Sequence, residues 1–325
     1  MILEDEFTFE LSLCAYLETQ RDAIIARQLG AGVDSSGRRI IDIAIAEPGP
    51  RFEFRASLTA ESIPIDLIEA PIGPGTFRSA SDAIDRPVKH RQDLIERGAE
   101  IGFIEKRRNS GTAEIRQVVR YPYRWYSNLI GIENKPDLSS PGKLIDQLQF
   151  DVSLGLFDNV ILATATRVTD VHLNRIPEEV GVWVYSPEDG IEVVRQAEQL
   201  QPNAYGIELV SHNSDHSQIS PVSEKAKQQA RQRIAERAYG KGWRVSSLPE
   251  CQSCNFQSRH GTPCLPFCVE KQQVVSPSGD CVSCSLRSDE STHQYDPTDE
   301  RDRRTPWKAN PTGYQHKQAG LDRFC

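Results

Sequence analysis

The sequence predicts an α/β protein: a mixed sheet flanked by helices, interrupted by an inserted unit and followed by a cysteine-rich module. Three observations carry that prediction. Two apolar, strand-like runs, R-R-I-I-D-I-A-I-A-E and L-I-G-I-E-N-K, each hold a carboxylate and are separated by a long stretch of different character. Helical and strand patterns alternate around the second run, as in sheets covered by helices. Two C-x-x-C knuckles, Cys251 with Cys254 and Cys281 with Cys284, follow near the end.

The bulk numbers set the limits. The 325 residues suffice for two domains and a sizeable core. Charged residues make up 26% and hydrophobic residues 38%, the balance of a soluble globular chain. The net charge of −8 offers nucleic acid no general attraction, so such a partner needs a local basic surface. No stretch approaches the ~20 apolar residues of a membrane helix. The start, M-I-L-E-D-E-F, is acidic where a secretory signal is basic. The expectation is a cytoplasmic protein with no membrane partner. There, eight cysteines are expected to include metal ligands rather than a disulfide framework.

Residues 6–20 carry an amphipathic helical pattern with Phe9, Leu13, Tyr16 and Leu17 as its buried stripe. Glu10 and Cys14 sit four apart on one side of it. Taken alone, Cys14 reads as a small core residue. Residues 22–47 read as a hairpin around the turn-rich G-A-G-V-D-S-S-G. Asp42 interrupts its second strand. Burying an unpaired carboxylate there costs several kcal/mol, so Asp42 either has a task or faces water from an edge strand.

After a Pro/Gly linker, residues 58–124 read as a separate unit. Two short helical patterns lead to a third that starts at Pro87, and then to the strands G-F-I-E-K-R-R and A-E-I-R-Q-V-V-R-Y. Three helices and a β-hairpin make the order of a winged helix. Lys89, Arg91, Lys106, Arg107 and Arg108 give it a local basic density, a candidate nucleic-acid surface or else a solvated face.

The chain then returns to the sheet. Along L-I-G-I-E-N-K, side-chain alternation sets Glu133 and Lys135 on one face, next to Pro136 at the strand's end. Ser139 or Ser140 is expected to cap the following helix, which carries Leu144, Gln147, Leu148 and Asp151. N-V-I-L-A-T, E-V-G-V-W-V-Y and D-G-I-E-V-V-R read as further strands. Residues 201–221 read as a loop, and a basic helix follows that ends at Gly240. The segment beyond Ser285 is almost all polar and is expected to lack structure. The expected organisation is a discontinuous core (1–57 and 125–248), an insertion (58–124), a cysteine-rich module (249–286) and a tail (287–325).

Two strands that diverge at their ends place Asp42 and Glu133 where both can hold one divalent cation. Mg²⁺ takes one or two carboxylates plus waters and phosphate oxygens. Lys135 can orient a water or neutralise developing charge. Gln147 can support it, and Glu10 can add a ligand. Here the chain resembles the restriction-endonuclease-like, PD-(D/E)XK, nuclease superfamily over about residues 6–57 and 125–195. The likeness rests on the Asp strand, on L-I-G-I-E-N-K, and on the helix and strand that follow. It implies a restriction-endonuclease-like sheet, with Asp42, Glu133 and Lys135 as the metal-binding and catalytic set, using Mg²⁺ or Mn²⁺ on DNA. No proline directly precedes Asp42, and Gln147 with Asp151 stands where RecB-type members carry a tyrosine. The whole chain also resembles an archaeal family from salt-adapted organisms with no assigned activity, through segments such as G-I-E-N-K-P-D-L and H-L-N-R-I-P-E-E-V-G-V-W.

The paired knuckles, with Cys264 and Cys268 between them, point to a tetrahedral thiolate site for Zn²⁺. His260 is a possible substitute ligand. The nuclease resemblance implies an alternative, an iron–sulfur cluster held by Cys14, Cys251, Cys254 and one of Cys264 or Cys268. Cys325 reads as a free thiol. The functional expectation is a metal-dependent nuclease. The alternatives are an inactive nucleic-acid-binding protein and a metal-dependent hydrolase of a small substrate.

Overall fold

The computed structural model describes residues 5–33, 39–140, 142–212, 217–245, 251–257, 263–277, 279–285 and 296–311. His260 and Cys325 lie outside the described residues. Helix α1 (Glu6–Gln20) leads into strands β1 (Ile24–Gly30) and β2 (Ile40–Pro48). Short helices α2 (Phe52–Ala56) and α3 (Ile65–Glu69), strand β3 (Arg78–Ser79) and the turn α4 (Ala80–Ala83) precede α5 (Val88–Glu100). The hairpin β4 (Ile104–Asn109) and β5 (Thr112–Gln117) follows. The sheet resumes with β6 (Tyr126–Asn134), α6 (Leu144–Leu154) and β7 (Asn159–Thr164). Then come α7 (Asp170–Leu173), β8 (Gly181–Ser186), β9 (Gly190–Arg195), β10 (Gly206–His212), β11 (Ser217–Val222) and α8 (Glu224–Lys241). Strands β12 (Cys254–Gln257), β13 (Leu265–Cys268) and β14 (Gln273–Val274) and helix α9 (Pro297–Arg304) complete the described chain.

The main sheet has six strands in the order β1-β2-β6-β7-β8-β9. β2 runs antiparallel to both β1 and β6; β6, β7 and β8 are parallel, and β9 turns back. The chain is therefore a mixed α/β fold whose sheet is flanked by helices. Ile25, Ile43, Ile45, Ile130 and Ile132 bury one face under α1. Ala26, Ala44, Leu129 and Leu162 bury the other, in one core with α6 and α8. Close approach on that second face depends on Gly131, where a Cβ would fall 2.8 Å from the Phe157 ring.

Several elements differ from expectation. Helix α1 starts as expected, with Asp5 Oδ1 accepting from Thr8 N at 2.8 Å. It is buried almost all round, because Trp243, Phe267 and Val274 cover the side that faces away from the sheet. Neither Ser139 nor Ser140 caps α6; Lys143 stands at that position, and Ser139 Oγ donates to Asp137 Oδ2 at 2.6 Å. The expected loop at 201–221 contains the hairpin β10–β11. Residues 296–311, expected to lack structure, contain α9 and the buried Glu300, Arg301 and Trp307. Trp307 Nε1 donates to Ala60 O at 3.0 Å.

Residues 58–124 form a three-stranded sheet, β3-β5-β4, with α3, α4 and α5. Leu67, Leu94, Phe103 and Ile115 join the core that lies under the main sheet. The junction is a buried polar network. Arg55 donates from Nε to Glu236 Oε1 at 2.8 Å and from Nη2 to Oε2 at 2.8 Å, and its ring-facing side stacks on Tyr239 at 3.9 Å. Its other protons reach Thr59 O and Glu61 O. Tyr121 OH and Trp125 Nε1 also donate to Glu236. Removing one partner leaves an uncompensated buried charge, so Glu236→Ala should cost about 3–5 kcal/mol. Urea denaturation checks this; a loss below ~1 kcal/mol would mean that the network carries little of the fold.

Candidate functional site

The site lies where the start of β2 meets the end of β6. The pairing of Ile43 with Ile132 fixes the register. One step further along, Asp42 stands across from Glu133. Asp42 Oδ2 accepts Asn134 N at 2.9 Å, which anchors the carboxylate to the neighbouring strand. Glu133 is buried and Asp42 half-buried.

Arg39, just before β2, organises the buried side. Its Nε donates to Asp151 Oδ1 at 3.0 Å and its Nη2 to Asp151 Oδ2 at 2.5 Å. The same Nη2 donates to Glu133 Oε1. One guanidinium thus serves two buried carboxylates, with Asp42 as a third acidic neighbour. Burial, helped by the charges of Asp42 and Asp151, outweighs Arg39 and pushes the Glu133 carboxyl up to about 8. Burial also raises Asp42 and Asp151 from the usual carboxylate range.

Glu10 reaches the cluster from α1. It pairs with Arg27 Nε and accepts Gln28 Nε2 at 2.6 Å. Gln28 Nε2 also donates to Asp42 Oδ1 at 3.2 Å, so one amide ties the helix carboxylate to the strand carboxylate. Gln28 holds a left-handed backbone, φ 53°, rare outside glycine. Burial raises the Glu10 carboxyl as well.

Lys135 lies outside this buried group. Its Nζ donates to Glu6 Oε1 at 2.7 Å, with side chains 27% and 63% exposed. Gln147 is half-buried on α6, and no hydrogen bond of its side chain is found among the described residues. The structure therefore brings Glu10, Asp42 and Glu133 together, sets Lys135 beside them, and leaves Gln147 apart. Sequence reading missed Arg39 and Gln28, and named Asp151 only as a neighbour of Gln147. It also gave no role to Asn134, whose buried Oδ1 has no hydrogen-bond partner among the described residues.

The cysteines divide. Cys251, Cys254, Cys268 and Cys281 are buried around one small void, with Cys284 half-buried on its lining. Cys264 stands away from them, where its backbone N–H donates to Glu300 Oε1 at 3.1 Å. Cys14 is fully buried in the apolar core of α1, and none of the described cysteines shares that core with it. The cysteine-rich segment reaches α1 through Phe267 and Val274, not through the Cys14 sulfur expected for an iron–sulfur arrangement. As placed, the described residues contain no three His, Cys, Asp or Glu side chains drawn round a common metal position.

In the inserted unit the basic density is partly neutralised. Lys106 pairs with Glu96, Arg107 with Glu114 and Arg116 with Glu105, each at 2.6 Å. Arg91 donates to Arg86 O at 3.0 Å. Lys89 and Arg108 are exposed and have no ion pair among the described residues. No helix among the described residues is long and apolar enough to cross a membrane.

Residues 24–288 match the model described as "Family of unknown function (DUF5787)". The chain belongs to the DUF5787 family. No curated protein and no solved structure matches it. The matched span holds Gln28, Arg39, Asp42, Glu133, Lys135, Asp151 and every cysteine from 251 to 284; Glu10 and Cys14 precede it. Both halves of the sheet and the cysteine-rich segment thus fall within the matched span, whereas the whole of α1 lies before it.

A raised carboxyl pKa fixes a pH dependence. The contribution of Glu133 to stability is fully present below the unfolded carboxyl range and is lost as pH rises through about 8. Chemical denaturation should show the native protein losing stability across that window. Glu133→Gln should flatten the loss, and an unchanged slope would contradict the raised value.

Proposed function

We propose that this DUF5787 member is a metal-dependent nuclease that hydrolyses DNA phosphodiester bonds, in repair or defence, on a restriction-endonuclease-like core. The observation that carries the reading is the convergence of Asp42 and Glu133 across β2 and β6, with Glu10 tied in by Gln28. Three carboxylates around the single Arg39 guanidinium leave negative charge in a largely buried place. Such a donor set suits a hard divalent cation. Asp42 and Glu133 would hold the ion, with Glu10 in support. Mg²⁺ or Mn²⁺ bound there supplies Lewis-acid polarisation of the phosphoryl group and a lowered pKa for bound water.

The chain's own residues supply the rest. Asn134 N–H keeps Asp42 oriented, and Arg39 holds Glu133 and Asp151 in register. An exposed pair such as Lys135 with Glu6 is worth about 0–1 kcal/mol. A phosphate can therefore displace Glu6, and Lys135 then sets its positive charge against the developing negative charge.

The inserted unit supports the DNA assignment as a winged-helix-like domain. Its order of helices with a β3-β5-β4 sheet agrees with that reading, and Lys89 and Arg108 offer free charge. One observation favours a second reading, an inactive nucleic-acid-binding protein: Arg39 already occupies the Glu133 carboxylate.

Labelled single- and double-stranded DNA incubated with Mg²⁺ or Mn²⁺ tests the proposal. Native protein should cut, and Lys135→Ala, Glu133→Ala and Asp42→Ala should each reduce the rate by about 10²-fold or more while leaving the circular dichroism spectrum intact. Metal-dependent cutting that survives Glu133→Ala would remove the assignment. In binding titrations, Lys89→Ala and Arg108→Ala should each weaken affinity alike across sequences and lower the salt slope by about 1. Unchanged slopes would move the DNA surface elsewhere.

A further inference from the structure

The cysteine-rich segment is built around one small void. Pairing of β12 with β13 sets Cys254 opposite Cys268. Cys251 lies one turn earlier, with Cys254 N donating to Cys251 O at 3.2 Å. Val269 N donates to Ser253 O at 2.8 Å and holds that turn against the end of β13. Cys281 is brought back by its own N–H, which donates to Ser276 O at 3.2 Å. All four cysteines are buried, and with Val275 they form a cluster separate from the main cores.

Two dimensions decide what fits between them. Cys254 Sγ and Cys281 Sγ stand 4.0 Å apart. Tetrahedral zinc with bonds of ~2.3 Å sets its sulfurs ~3.8 Å apart. The void measures about 10 Å³, room for about one water-sized particle. A four-iron cluster is a cage of metal and sulfide that stands between its thiolates, so it needs more space and wider sulfurs. Lys271 lines the same void, a cation beside what would be a doubly negative four-thiolate centre.

We propose that Cys251, Cys254, Cys268 and Cys281 hold a single structural zinc ion, with Cys284 at its rim and Cys264 and Cys14 outside it. Binding draws the four sulfurs inward to the tetrahedral spacing. Each thiol gives its proton to solvent and no electron is transferred. The ion then fixes β12, β13 and the returning turn at Cys281 as one body. That body presents Phe267 and Val274 to α1, so zinc acts on the main fold by holding the cover of that helix in place. The inference stands whether or not the carboxylate site cuts DNA.

Elemental analysis of the purified full-length protein tests it. One zinc per chain is expected, with no iron and no visible charge-transfer absorption. Cys251→Ser, Cys254→Ser, Cys268→Ser and Cys281→Ser should each lose the zinc, while Cys14→Ser, Cys264→Ser and Cys284→Ser should keep it. A ligand variant can misfold, so native protein is also stripped with a chelator and refilled with Co²⁺, where the intense spectrum of a tetrahedral four-thiolate site is expected. Iron with visible absorption would overturn the proposal. So would zinc that survives Cys268→Ser but not Cys284→Ser, or a folded protein that takes up neither zinc nor cobalt.

Discussion

The architecture depends on a charge that has no access to water. Arg55 is fully buried, and a lone guanidinium there would be prohibitive. Glu236 from α8 neutralises it, and backbone carbonyls of Thr59 and Glu61 take its remaining protons. Glu236 in turn accepts from Tyr121 and Trp125 and from Ile63 N. Breaking such a network is far more destabilising than building it is stabilising, so it acts as a register pin. Trp125 lies at the foot of β6. With that end held, Leu129, Gly131 and Glu133 follow at alternate positions up one face, and the carboxylate arrives at the far end in a defined place.

At that far end the balance of forces is reversed. The Arg55 network pairs one positive charge with one negative charge. Around Arg39, acidic groups outnumber the guanidinium, and burial raises each of their pKa values. Stability alone favours the first arrangement. The second resembles the many sites where titratable groups are held away from their ordinary protonation equilibrium in order to bind or react.

Much of this was legible in the chain itself. The strands around Asp42 and Glu133 stand out as apolar runs, and α5 and α8 carry boundary signals at Pro87 and Gly240. What could not be read required partners distant in sequence. The near-complete burial of α1 depends on Trp243 and Phe267. The β10–β11 hairpin and α9 were hidden because polar composition outweighs weak periodicity, although Glu208 and Trp307 are buried in the fold. In the site, two carboxylates stood out because charge interrupts an apolar run. Arg39 did not, since an arginine before a strand looks like an ordinary solvated residue until Asp151 is brought beside it.

Gln28 has a consequence for how this chain can change. Glycine would relieve the left-handed backbone at that position, and asparagine would tolerate it better than glutamine does. Neither keeps the full reach of the glutamine amide, which bonds Glu10 on the helix and Asp42 on the strand together. The residue that best suits the local chain and the residue that best suits the carboxylates are therefore different amino acids. Substitutions here should trade robustness against competence, so a search for a hardier protein would tend to dismantle the site first.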